Sequence, residues 1–172
     1  MIRSGTGQPA ELFFDDISPG TIFDLGIAEV DRDEMLAFAR RFDPQWYHVD
    51  VDAARASAYG DVIASGFYTV SLFMRAYADN LLSRAAADAS PGLEELRWTA
   101  PVYGGDRLAI RVEVLGAAPS SVKPSVGTLT LAATMTRLAT DQRPEAVAAR
   151  IRFRGWFARR PSDLDLGATT VL

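Results

Sequence analysis

The chain has 172 residues, 48% of them hydrophobic, with 18 Lys and Arg against 22 Asp and Glu for a net charge of −4; this is the size and composition of one domain with a self-sufficient core. The absence of cysteine and the single histidine exclude disulfides, Cys-ligated zinc, iron–sulfur clusters, a thiol nucleophile and a multi-His metal site within one subunit, so neither metal nor cofactor is expected. The acidic balance gives no global footprint for nucleic acid, and with no signal-peptide stretch and no run of 18 apolar residues a cytoplasmic protein with no membrane span is expected.

Residues 1–10 and the tail 162–172 are polar or small in composition and read as loosely held ends of a single domain. After the turn at Ser18-Pro19-Gly20, Phe23, Leu25 and Ile27 alternate with Asp24, Gly26 and Ala28, which predicts a first strand over 21–30. Asp31 followed by Glu34 has the form of a capping box, and Met35, Phe38, Ala39 and Phe42 then fall on one helical face. Pro44 ends that helix, because it pushes Asp43 out of the helical region. The next residues, Asp43-Pro44-Gln45-Trp46-Tyr47-His48, read as a loop, followed by a short helix from Asp52 to about Ser57 that Gly60 closes.

Ser65 to Ala86 predicts a long helix with a stripe of Phe67, Val70, Ser71, Met74, Ala78, Leu81 and Leu82. Tyr68, Leu72, Phe73 and Tyr77 lie off the stripe, so the helix is apolar most of the way round and needs cover on several sides. Beyond Pro91-Gly92 the period changes to two. Leu93 to Trp98, Leu108 to Val114, Thr128 to Ala139 and Val147 to Phe153 read as half-buried strands. The turns Gly116–Pro124 and Thr140–Pro144 are too short for crossover helices, so the sheet is antiparallel. A long helix needing cover and a one-faced sheet needing a partner give an α+β fold, a curved antiparallel sheet wrapped around a long central helix. Arg150, Arg152 and Arg154 then fall on the outer face, as solvated positions or as ligands for phosphate.

With one histidine the search for chemistry is short. His48 follows Asp43 by five residues across a bend, where imidazole and carboxylate can converge on one small molecule such as water; alternatively Asp43 caps a local turn and His48 is a polar loop residue. Gly66 stands near the first turn of the long helix, where an unpaired amide reinforced by the helix dipole can stabilise a carbonyl that gains negative charge. The competing reading is a plain capping turn with Ser65 as N-cap. Ser65 is not read as a nucleophile, since G-x-S-x-G is absent. Trp46, Tyr47, Phe67 and Tyr68 line a pocket or fill core. Asp15-Asp16 and Asp31/Asp33/Glu34 are explained by capping and solvated turns, and Gly104-Gly105-Asp106 is a turn before a strand.

The stretch FARRFDPQWYHVDVDAARASAYGDVIASGFYTVSLF, residues 38–73, with FFDDISPGTIFDLG before it and LRWTAPVYGGDRLAIRVEVL after it, resembles the MaoC-like dehydratases and the (R)-specific enoyl-CoA hydratases, which adopt the hotdog fold. The resemblance covers about residues 12 to 115 by motif. It implies a 3-hydroxyacyl dehydratase or enoyl-CoA hydratase of fatty acid metabolism, a lyase acting on an acyl-CoA or acyl carrier protein thioester. In it Asp43 and His48 match the catalytic pair, and Gly66 the glycine whose amide binds the thioester oxygen. Ser65, Trp46, Tyr47, Phe67 and Tyr68 are then candidate substrate-binding residues, and Lys123, Arg137 and the strand arginines candidates for the CoA phosphates. Many relatives carry histidine where this chain has Ser65 and proline where it has Trp46. A homodimer, or higher even oligomer, joined edge to edge is implied. Two other readings stay open: a hotdog acyl-CoA thioesterase, and a non-catalytic acyl-thioester-binding subunit.

Overall fold

The computed structural model describes residues 2–161. After a single 3₁₀ turn at Phe14–Asp16, the elements in order are β1 (Ile22–Glu29), α1 (Arg32–Phe42), α2 (Trp46–Val49), α3 (Val51–Arg55), α4 (Gly66–Tyr77), β2 (Gly92–Trp98), β3 (Arg107–Pro119), β4 (Val126–Arg137) and β5 (Ala146–Ala158). The five strands form one curved antiparallel sheet in the order β1-β3-β4-β5-β2.

The period-two alternation of the sequence puts Leu108, Ile110, Val112 and Val114 of β3, Leu129, Leu131, Ala133 and Met135 of β4, and Ala149, Ile151 and Phe153 of β5 on the inner face, all buried. They meet α4, whose Phe73 and Tyr77 rings stack on each other at 5.6 Å and both lie against Phe153, at 5.7 and 5.5 Å. This helix-in-sheet arrangement is the hotdog fold that the resemblance implied. The outward arginines serve the sheet itself: Arg152 and Arg154 both pair with Glu94 on the neighbouring β2, at 3.2 and 2.6 Å.

Several local expectations are corrected. The helix begins at Gly66 and ends at Leu82, short of Ala86, its last turn widened to a π turn over Ala78–Leu82. Its buried side carries Tyr68, Thr69, Phe73, Tyr77 and Leu81, whereas Phe67 and Met74 of the expected stripe are exposed. Both flanks are apolar, so periodicity could not choose between them; the aromatic stack on Phe153 does. One flank therefore stays open, and the helix is not covered on all sides.

The first strand carries a bulge between Asp24 and Ile27. Gly26 takes a positive φ of 81°, and its amide donates to Asp24 Oδ1 at 2.9 Å. The extra residue reverses the alternation, turning Ile27 outward and Ala28 inward. Only half of the capping box forms: Asp31 accepts from the Glu34 amide at 2.8 Å, while the Glu34 carboxylate faces the Tyr68 hydroxyl at 3.4 Å. Residues 2–10 are tied down, with an Arg3–Pro9 bridge and the Gly5 amide donating to Leu82 and Ala85 carbonyls at 3.0 and 3.1 Å; residues 162–172 lie outside the described residues.

Candidate active site

Asp43 is the C-cap of α1, just past Phe42, its amide closing the helix on the Ala39 carbonyl at 2.9 Å. The sequence read as a loop after it contains one more helical turn, α2, which carries His48. The imidazole is buried, and its Nδ1 lies 2.8 Å from the Ile63 carbonyl. A carbonyl only accepts, so Nδ1 carries the proton and Nε2 is left facing the carboxylate. Ile63 is itself fixed, its amide donating to Tyr47 at 3.1 Å and the next amide, Ala64, to Val102 at 2.7 Å.

Ser65 acts twice. Its oxygen accepts the Phe67 amide at 3.3 Å, the capping role of its residue type, and its hydroxyl donates to Asp43 Oδ2 at 2.7 Å. The other oxygen, Oδ1, accepts from the Gln45 side-chain amide at 2.8 Å, and the Tyr47 hydroxyl donates in turn to Gln45. The Ser65 hydroxyl first, and then the Gln45 amide, hold the Asp43 carboxyl below its ordinary range against the opposing effect of burial; a hydrogen bond to the charged form favours that form. His48 Nε2 stands 3.4 Å from Asp43 Oδ2.

Gly66 opens α4, where the first amides have no acceptor within the helix. Asp43, His48 and Gly66 all border one cavity of about 460 Å³, together with Gln45, Tyr47, Phe67, Tyr59 and Trp98 and the segment Thr99–Val102. Of the other residues singled out from the sequence, Ser65 sits behind Asp43, fully buried. Trp46 is half exposed and its ring meets Tyr47 edge-on, away from the cavity lining. Tyr68 lies two residues beyond Gly66, on the far side of the helix, with its hydroxyl 3.4 Å from the Asp31 carbonyl. Burial and the Glu34 charge push that hydroxyl up to about 12, so it stays protonated.

Gln45 and Trp98 were missed by sequence reasoning. Gln45 stood in the quoted Asp-Pro-Gln motif, and its spacing of two from Asp43 was the available signal. Trp98 carried none, being the last residue of an alternating strand. The proposed phosphate ligands do not border the cavity. Lys123 lies 3.8 Å from Asp88, and Arg137 is buried with its guanidinium on the Pro101 and Pro144 carbonyls at 2.5 and 3.2 Å. Asp15 and Asp16 pair with Arg159 and Arg160 at 2.9 and 2.7 Å.

The fold and the site define a class of protein: a hotdog domain in which a carboxylate and an imidazole stand together beside the start of its central helix. More narrowly, the chain belongs to the family described as "MaoC like domain", which its sequence matches over residues 18–137. It is 29% identical over 117 residues to the uncharacterized protein YdeM of Bacillus subtilis, covering 68% of this chain and 82% of YdeM. Over 75 residues it is 35% identical to 3-hydroxyacyl-thioester dehydratase Z of Mycobacterium tuberculosis, spanning 43% of this chain and half of that protein. The crystal structure of a MaoC-like dehydratase from Rhodospirillum rubrum superposes with a TM-score of 0.78 at 32% identity, covering 88% of this chain and all of that one.

Proposed function

We propose that this protein catalyses the reversible hydration of trans-2-enoyl thioesters, carried on CoA or acyl carrier protein, to 3-hydroxyacyl thioesters. The observation that carries this reading is that Asp43, His48 and Gly66, at the start of α4, border one cavity. The 3-hydroxyacyl-thioester dehydratase among its relatives points the same way. The Gly66 N–H takes the thioester oxygen, which draws electrons from C3 and lets C2 accept a proton. Nε2 of a neutral His48 and Oδ2 of Asp43 are two acceptors aimed at one locus, suited to hold a water by its two hydrogens. The water oxygen bonds to C3, one of its protons leaves to the Asp43–His48 pair, and a proton is delivered to C2. The reverse sequence expels water from the 3-hydroxyacyl thioester.

This reading includes a homodimer acting in the cytoplasm. The dimer is supported by the open edge of β2, by the exposed Leu93 and Trp98 that it carries and by the exposed Phe67 packed on Trp98.

The test is crotonyl-CoA hydration by the purified chain alone, read as loss of enoyl absorbance without release of free thiol. Asp43→Asn and His48→Ala should each lower the rate about 10²–10⁴-fold with unchanged circular dichroism. Near-wild-type hydration by either variant overturns the proposal. Release of free CoA instead assigns thioester hydrolysis, and an inactive wild-type chain that still binds acyl-CoA assigns a non-catalytic subunit.

A further inference from the structure

Trp98 ends β2, paired with Ala149 of β5, and the three residues after it also line the cavity. Its indole lies directly on Gly66. A Cβ added at residue 66 would stand less than 3.0 Å from three indole atoms. The Phe67 ring packs edge-on to the same indole, with centroids 5.5 Å apart at 70°. One face of the site is thus an aromatic plate, anchored on a strand and pressed against the residue whose amide receives the thioester oxygen. Asp43 and His48 border the same cavity. An aromatic side chain has only two χ angles and presents a broad, stiff, apolar surface.

We infer that Trp98 determines which acyl groups the site takes, restricting it to thioesters unbranched at C2. This deepens the thioester reading and rests on it. With its oxygen on the Gly66 amide, a thioester places C1 and C2 within the reach of the indole. A methyl group on C2 lies in the plane of the enoyl group and widens it next to the carbonyl, on the side where the indole already fills the space beside Gly66. Atoms at C4 and beyond lie farther from Gly66, so discrimination is strongest next to the carbonyl. A site that rejects one methyl group by steric exclusion discriminates about 10–200-fold.

The test uses two measurements on the wild-type chain and on the Trp98→Ala and Trp98→Phe variants, each first shown to melt cooperatively. In the first, hydration of crotonyl-CoA is compared with that of its 2-methyl analogue, tiglyl-CoA. Wild type should prefer crotonyl-CoA in kcat/KM, and Trp98→Ala should reduce that preference at least tenfold, with Trp98→Phe between them. In the second, calorimetric binding of the unreactive butyryl-CoA and 2-methylbutyryl-CoA is compared in the same three proteins. It needs no turnover, and the same order is expected.

A preference that Trp98→Ala leaves unchanged overturns the inference while the thioester reading stands. Binding with the expected preference but no hydration leaves Trp98 as the selector of acyl groups and removes the hydratase reading. A wild-type chain that binds neither saturated thioester overturns both. Should Trp98→Ala fail to fold, Trp98→Phe alone decides, since it shortens the plate while keeping an aromatic ring.

Discussion

Asp43 is partly exposed where it borders the cavity, yet both carboxylate oxygens are occupied by donors from residues 45 and 65. Each donor stabilises the ionised form, so the folded-state pKa is depressed. The stability linked to that shift is present above the ordinary carboxylate pKa and lost as pH falls through the depressed one. Gln45→Ala and Ser65→Ala should each move the acid limb of the hydration profile to higher pH, because Asp43 then protonates sooner on acidification. The two variants differ in another respect. Ser65 also caps α4 through the Phe67 amide, so Ser65→Ala should cost about 0.5–2 kcal/mol of stability, and Gln45→Ala should not. Acid limbs that coincide with the wild type in both variants would show that these donors do not tune the carboxylate.

Gly66 offers a second test at the same scale. A glycine lets a ligand approach the backbone closely, yet in the structure the space of a Cβ is taken by the Trp98 indole. Gly66→Ala should therefore destabilise the fold by about 1–3 kcal/mol through overpacking, and Trp98→Ala should relieve much of that loss. Thermal denaturation of the two single variants and the double variant measures the coupling, and strictly additive losses would mean that the indole swings aside freely. The pair Asp43 and His48 was legible because chain spacing across a proline bend is a local property. The proximity of Trp98 to Gly66, 32 positions apart, is created by the sheet and is invisible to spacing.

Among the elements, the strands of the sheet's centre were legible almost residue by residue, since β3, β4 and β5 each alternate a buried face with a more open one. β1 departs from the pattern at one glycine. Gly26 sits at φ 81° with nothing within 4 Å of its Cβ position, so its requirement is one of backbone conformation alone. Forcing an alanine into that region costs about 1–2 kcal/mol, and for a chain of this size Gly26→Ala should lower the melting temperature by roughly 2–8 °C. An unchanged melting temperature would mean that the bulge relaxes, and amide exchange along residues 22–29 would then report a changed register. The bulge was hidden from sequence reading because Ile27 and Ala28 are both apolar, so either phase of the alternation looked acceptable. The same ambiguity concealed which flank of α4 faces the sheet. The single turn of α2 escaped because four residues span barely one helical period, too few to show periodicity.

At the scale of the whole molecule, the sheet has two edges, β1 and β2, and they differ in how they are closed. β1 is bulged and its Leu25 carbonyl accepts from the Asn80 side chain at 3.0 Å. β2 is regular beyond Glu95 and exposed along nearly its full length. Charged side chains ordinarily guard such an edge. Here Glu94 is engaged by Arg152 and Arg154 across the sheet, and Glu95 by Arg97 on the same strand, so the charges on β2 are matched within one chain and do not repel a second copy. Leu93 and Trp98, at the two ends of the strand, are both about half exposed, as is Met74 on the open flank of α4. A two-fold pairing of β2 with its symmetry mate would cover this surface and complete the edge hydrogen bonds in an isologous contact. Sedimentation equilibrium at micromolar concentration should accordingly give twice the 18.7 kDa chain mass. Leu93→Asp, which sets an unmatched charge on the pairing edge, should shift the population toward monomer. Trp98 and Phe67 lie beside both the strand end and the cavity, so hydration by this variant should fall at low protein concentration and recover as concentration rises. A wild-type chain that sediments as a monomer, or a Leu93→Asp variant whose specific activity is independent of dilution, would separate the site from the edge and leave the open flank of α4 without this explanation.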